Sequence, residues 1–384
     1  MGRMTRWCRW AVVVALAVAG TLPVTAPAAA AECVGPARTV VPELPWAQQW
    51  LQPQRIWPLT QGAGVTVAVV DSGVDGQVRQ LRGRVEAGLD VLAGGGRADT
   101  DCSGHGTFAA GIVAAAEQPG VGFAGLAPQA RVLPLRVTTD TDELPPAAAT
   151  AAAVRTAAER GARVILVGTP IVRAGAELRA ALTVAQSRDA LVIVVPWAGA
   201  DSPAPVDPWV AERVVSVGGF GLDGAAMTGT AAPVDLVAPG SALVSVGPRG
   251  PGHLLSEGNG YAAAFVAGAA ALVRARHPRL TAAQVKQRLL ATSDRVPRQV
   301  PDPALGYGCL DLYAAVTAVL PGEHGTGLSA APVPRAVVAR PGQADDQAFR
   351  TAAVAVAVAG VLALLATVVA LAVPRIRRRQ GLPR

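Results

Sequence analysis

Short, unbroken apolar runs punctuate most of the chain. Residues 65–70, V-T-V-A-V-V, end on an acidic residue, Asp71, and similar runs recur at 132–137, 164–167, 191–195 and 214–217. A short apolar run without polar alternation marks a strand covered on both faces, as in a parallel sheet. Ala-rich stretches with helical spacing lie between the runs at 144–160 and 175–188, and a helix opens at His105. Strands and helices alternate, which predicts an α/β domain with a doubly wound parallel sheet and flanking helices. A buried helix follows S-E-G-N-G at 256–260, where Ala262, Phe265, Val266, Ala269, Ala270 and Val273 share one helical face. Gly268 inside it costs about 1 kcal/mol against Ala, so a second element is expected to pack closely there. Thr281 and Gln284 form a capping box, with Leu280 and Val285 at the staple positions. A last helix is expected within 306–319.

Hydropathy changes character at both ends. Residues 1–31 carry Arg3, Arg6 and Arg9, then an apolar run at 11–20 and an A-x-A site ending at Ala31, the pattern of a secretory signal peptide. Residues 352–373 hold no charge over 22 positions, long enough for a transmembrane helix. The basic tail 374–384 follows, which places the C-terminus in the cytoplasm. Residues 321–351 read as a Pro/Gly-rich linker. Residues 32–60, rich in Pro, Trp and Gln, read as an extension on the surface of a domain over 61–320. The expected product is a single-pass cell-membrane protein with its N-terminal domain outside the cytoplasm.

Net charge alters the picture less than its value suggests. The chain is formally +7. The signal contributes +3 and the tail +5, which leaves −1 for the residues between them. The basicity is topological, and no nucleic-acid partner is implied. Of four cysteines, Cys8 lies in the signal. Cys33, Cys102 and Cys309 allow three single pairings. Cys33 with Cys102 is preferred, because it would staple the extension to the loop before His105, leaving Cys309 as a buried thiol. No metal cluster or cofactor motif is visible, and the acidic loop Asp99–Thr100–Asp101 reads as solvated rather than as a Ca²⁺ site.

Three positions concentrate the chemistry: Asp71 at a strand end, His105 at a helix start and Gly260 at the start of the buried helix after 256–260. The surrounding segments carry a resemblance. A-V-V-D-S-G-V (68–74), G-H-G-T-F-A-A-G-I-V-A (104–114), G-F-A-G-L-A-P-Q-A-R-V-L-P-L-R-V (122–137), V-D-L-V-A-P-G (234–240) and G-Y-G-C-L-D-L-Y-A-A-V (306–316) resemble segments of the subtilases, serine proteases with the chain order Asp, His, Ser. The likeness covers residues 50–320 and implies a subtilisin-like fold. Signal peptide, stapled extension, subtilase domain, linker, single span and basic tail together resemble a mycosin, the membrane-anchored subtilase of type VII secretion systems. The resemblance implies partners among the type VII secretion membrane components.

The departures from the pattern bear on activity. Asp71 matches the residue that orients the imidazole, and His105 matches the general base. G-N-G-Y-A-A-A-F-V-A-G (258–268) stands where the family has G-T-S-x-A-A-P-x-V-A-G, so Gly260 replaces the nucleophilic Ser, Asn259 the Thr and Ala264 the Pro. Ala200 falls where the oxyanion Asn belongs, and V-I-L-V-G (164–168) replaces V-I-N-x-S. Removing the Ser of a subtilisin costs about 2 × 10⁶ in kcat. Removing the oxyanion Asn costs about 10²–10³. Among other hydroxyls, Ser256 reads as a loop serine, Tyr261 as packing and Thr107 as a helix-start residue. His253 and His277 read as solvated. Asp71 and His105 have two open readings, a buried hydrogen-bonded strut or remnants under relaxed selection. Three functions are expected in descending order: a structural pseudoprotease, an active endopeptidase with an unusual nucleophile, and a module holding an extended peptide in its cleft.

Overall fold

The computed structural model describes residues 33–139, 144–171, 175–196, 207–227, 233–294, 301–302, 304–321 and 323. The expected signal peptide, most of the linker, the 352–373 span, the basic tail and Ala200 lie outside the described residues. After the extension helix α1 (Trp46–Leu51) come β1 (Thr66–Asp71), β2 (Leu89–Asp90), α2 (His105–Ala114) and β3 (Arg131–Arg136). Next are α3 (Ala147–Glu159), β4 (Val164–Ile171), α4 (Ala176–Ser187), β5 (Leu191–Pro196), α5 (Pro208–Arg213), β6 (Val214–Phe220) and β7 (Leu236–Pro239). The hairpin of β8 (Leu243–Val246) and β9 (His253–Ser256) leads into α6 (Asn259–Arg276), followed by α7 (Ala282–Ala291) and α8 (Leu312–Thr317).

The main sheet has seven strands in the order β2-β3-β1-β4-β5-β6-β7. Each neighbouring pair is parallel. The chain starts at β1, steps to β3 on one side and crosses to β4 on the other. The change of direction therefore falls between β1 and β4, and the crevice beyond their carboxyl ends is where ligands bind in such sheets.

Alternation along the strands sorts side chains into two cores. Val67 and Val69 of β1, Val164 and Leu166 of β4, and Ile193 of β5 join the layer that contains α2 and α6. Ala68, Val70, Ile165, Val167 and Val192 join the layer that contains α3 and α4. Both faces are covered, which is why these strands read as continuous apolar runs.

The central helix α6 is buried from Gly260 to Arg274. The sequence suggests one buried face, but the whole circumference is enclosed because the Ala-rich surface is narrow enough to sit between the sheet, α2 and α8. A Cβ on Gly268 would lie 2.9 Å from Leu126 Cβ, so the close approach expected there exists. The capping box at Thr281 forms as its sequence predicts, and both staple residues are buried. The last helix is shorter than expected: only 312–317 is helical, because 306–310 instead bonds across to β7 and Asp294.

The extension is bound along its length. Val34 N–H donates to the Cys102 carbonyl at 3.0 Å, and the Trp46 indole donates to the Ser241 and Ala242 carbonyls at 3.0 Å each. Among the described residues no helix is long and apolar enough to cross a membrane.

Candidate active site

Strand period fixes where Asp71 goes. It lies two residues beyond Val69 and so faces the α2 and α6 layer, at the carboxyl end of β1. His105 is the first residue of α2 on that face. Its Nδ1–H donates to Asp71, 2.8 Å from Oδ1 and 2.9 Å from Oδ2. The carboxylate is fully buried and the imidazole side chain is 21% exposed. Asp71 Oδ1 also accepts the Ser72 backbone N–H at 2.7 Å. With Nδ1 donating, Nε2 is the basic nitrogen of the ring. Burial opposes the imidazolium, but attraction to Asp71 and the hydrogen bond to it outweigh burial and hold His105 above the usual imidazole range.

A second carboxylate fixes the helix that carries His105. Asp101 Oδ1 accepts Gly104 N–H at 2.9 Å and Ser72 Oγ–H at 3.0 Å. Its Oδ2 accepts the Thr107 N–H at 2.9 Å and the Thr107 hydroxyl at 2.6 Å. The negative charge thus satisfies otherwise unpaired donors at the positive end of α2. This corrects the solvated-loop reading of 99–101: Asp101 is buried, and Asp99 pairs with Arg97. The capping role is hard to see in sequence because the N-cap position itself holds Gly104. Among the described residues, no group of three His, Cys, Asp or Glu is placed to hold a metal ion.

Gly260 lies in the first turn of α6, beside the imidazole. A Cβ built on it would sit 3.3 Å from His105 Cε1 and 2.3 Å from the carbonyl oxygen of Gly168. That carbonyl reaches the site because β4 bulges. Val167 pairs with Val194, and the next pair in register is Pro170 with Val195, so Gly168 and Thr169 are extra residues on β4. Such bulges re-aim a strand at a sheet's functional edge. Gly168 is equally tight, since a Cβ there would lie 2.2 Å from Asp71 Oδ2. Neither glycine has a positive φ, so close approach rather than backbone conformation accounts for both. The bulge has no signature in the sequence beyond Gly168 itself.

The neighbouring groups are engaged in packing. The Tyr261 ring lies over His105, with centroids 4.6 Å apart, and over Phe108 at 4.4 Å. Burial pushes its phenol well above the usual range. Asn259 Oδ1 accepts the Gly219 N–H at 2.7 Å and ties the head of α6 to β6. The Thr107 hydroxyl also accepts the Asp75 N–H at 2.9 Å.

Of the two histidines read as solvated, one is buried and the other half-buried. His253 is buried, its Nδ1 accepts the Val41 N–H at 3.1 Å, and its Nε2–H donates to Gln80 at 2.9 Å. Sequence could not show this because the extension supplies the donor. The His277 Nε2 lies 2.9 Å from the Val316 carbonyl. Cys33 and Cys102 are joined in a disulfide, and Cys309 is buried. Ala200, the expected oxyanion position, is outside the described residues.

The subtilase family profile matches residues 62–308. Mycosin-4 of Mycobacterium tuberculosis is 35% identical over 369 residues, covering 82% of this chain and 78% of that protein. The crystal structure of MycP1 from the ESX-1 type VII secretion system superposes with a TM-score of 0.63 at 28% identity, covering 76% of this chain and 91% of that one. A chain of the periplasmic assembly from the ESX-5 inner membrane complex gives a TM-score of 0.63 at 26% identity, covering 81% and 94%. A parallel sheet with an Asp–His pair at its carboxyl edge is thus joined to close sequence relatives, and the chain belongs to the subtilase family and, within it, to the mycosins.

Proposed function

We propose that this mycosin is a membrane-anchored subtilase-fold protein that acts without hydrolysing peptides, as a structural component beside a type VII secretion membrane complex. The observation that carries the reading is the contact between Gly168 and Gly260. In the family pattern residue 260 is the serine, and here the space for its side chain is taken by the β4 backbone. Asp71 and His105 keep the geometry of an orienting acid and a base, but a base with no nucleophile beside it lacks the acyl-enzyme route. The ordered water attack that remains is about 10⁶ slower in a subtilisin stripped of its serine. In this reading the Asp71–His105 pair is a strut between β1 and α2: removing either partner would leave a buried polar group unsatisfied.

The secretion assignment draws on the relatives. MycP1 is titled as part of the ESX-1 type VII secretion system, and the ESX-5 chains as parts of an inner membrane complex. The 352–373 run and basic tail would anchor this chain beside such components, with the domain outside the cytoplasm. The test is turnover of a quenched fluorescent peptide library by the full chain in detergent, with an active mycosin alongside. Turnover no greater than that of His105→Ala is the expected result. Turnover that is lost in His105→Ala would establish a working peptidase and overturn the proposal.

A further inference from the structure

A solvent-facing groove of about 390 Å³ lies between the segment after β1 and the β8–β9 loop, lined by Asp75, Gln77, Arg79, Arg82, Arg249 and Pro251 among others. Three arginines line it. Among the described residues none of the three is ion-paired, and only Arg82 makes an internal hydrogen bond, to the Gln77 carbonyl at 3.3 Å. The one acid on the wall is already committed. Asp75 is buried, its Oδ1 accepts the Gln77 N–H at 2.9 Å, and its Oδ2 accepts the Arg249 N–H at 2.7 Å. Asp75 therefore shapes the groove and leaves its rim cationic.

Two features argue that the groove is built for a ligand. Arg249 is held at a φ of 58°, in the left-handed region that non-glycine residues rarely adopt. Glycine would be easier there, yet the position carries a guanidinium and is held by Asp75. The cluster is also not the overflow of a basic surface, since residues 32–373 sum to −1.

We propose that this groove docks an extended, carboxylate-rich segment of a protein partner. Guanidinium forks pair bidentately with carboxylates. Arg79 and Arg82 come from one segment and Arg249 from another, which suits several acidic side chains in a row. A single phosphate is less well served, because the Gln77 and Arg249 backbone N–H groups on the groove wall are both taken by Asp75.

The experiment uses the full chain in detergent and a fluorescein-labelled Glu/Asp-rich peptide, with its Gln/Asn counterpart as control, read by anisotropy. The acidic peptide is expected to bind with an affinity that falls with salt, and the Gln/Asn peptide not to bind. The Arg82→Gln/Arg249→Gly variant keeps a residue suited to the positive φ and should weaken binding at least about tenfold. The Arg155→Gln/Arg188→Gln variant removes the same charge from the α3 and α4 face and should bind like the wild type. Equal weakening by both variants, unchanged binding by the groove variant, or no binding by the wild type would each overturn the proposal. Arginine-dependent recruitment to phosphatidylglycerol vesicles without peptide binding would overturn it too.

Discussion

The carbonyl oxygen of Gly168 stands 2.3 Å from where a β-carbon on Gly260 would be placed. The contact is backbone against backbone, so no side-chain rotation relieves it. On the proposed function, a serine introduced at 260 therefore should not create a protease. Replacing a helical glycine ordinarily stabilises by about 0.5–1 kcal/mol, but overpacking against backbone costs about 1–3 kcal/mol. The second effect is the larger. Gly260→Ser and Gly260→Ala are each expected to lose about 1–2 kcal/mol in urea unfolding, and neither should hydrolyse peptides. A stable, active Gly260→Ser protein would show that β4 yields readily.

The Asp71–His105 pair predicts a pH signature. His105 binds its proton more tightly in the folded chain than in the unfolded one, where the value is near 6.5. Its contribution is therefore fully present below about pH 6.5 and is lost as pH rises through the higher folded value. The difference in unfolding midpoint between the wild type and His105→Gln should shrink as pH is raised from about 5 to about 9. A difference that grows with pH would contradict the pairing.

Asn259 ties the head of α6 to β6. Its Oδ1 is the acceptor for the Gly219 N–H at 2.7 Å. Asn259→Ala leaves that buried donor unsatisfied and should cost about 1–3 kcal/mol, measured by chemical denaturation. An unchanged midpoint would mean that water replaces the side chain.

The disulfide closes a sequence separation of 69 residues between Cys33 and Cys102. Loop-closure entropy for such a span gives roughly 4 kcal/mol. The Cys33→Ser/Cys102→Ser variant is expected to lose about 2–4 kcal/mol. Its extension should stay docked through bonds such as Val34 N–H to the Cys102 carbonyl, which limited proteolysis would detect as unchanged cleavage within 33–60.

Much of this fold is legible in the sequence because its strands are covered on both faces. Continuous runs such as 65–70 and 191–195 then need no register to be recognised. Asp71, His105 and Gly260 could be placed on their elements for the same reason, since each sits where an apolar pattern begins or ends. What escaped depends on partners far along the chain. The β4 bulge is a mismatch between Val167 and Pro170 against β5, and nothing local encodes it. His253 is buried because Val41, in the extension, bonds to it. Asp101 is a local miss of a different kind, capping α2 from outside the N-cap position. The close approach of Gly168 to Gly260 combines a residue that is visible in the sequence with a change of strand path that is not.

The most direct test of the account is covalent labelling of the full chain with a fluorophosphonate probe, mapped by mass spectrometry, beside an active mycosin. The account predicts no modification of any hydroxyl that depends on His105. A label on Ser256, Thr169 or any other residue that disappears in His105→Ala would show a working nucleophile and contradict it.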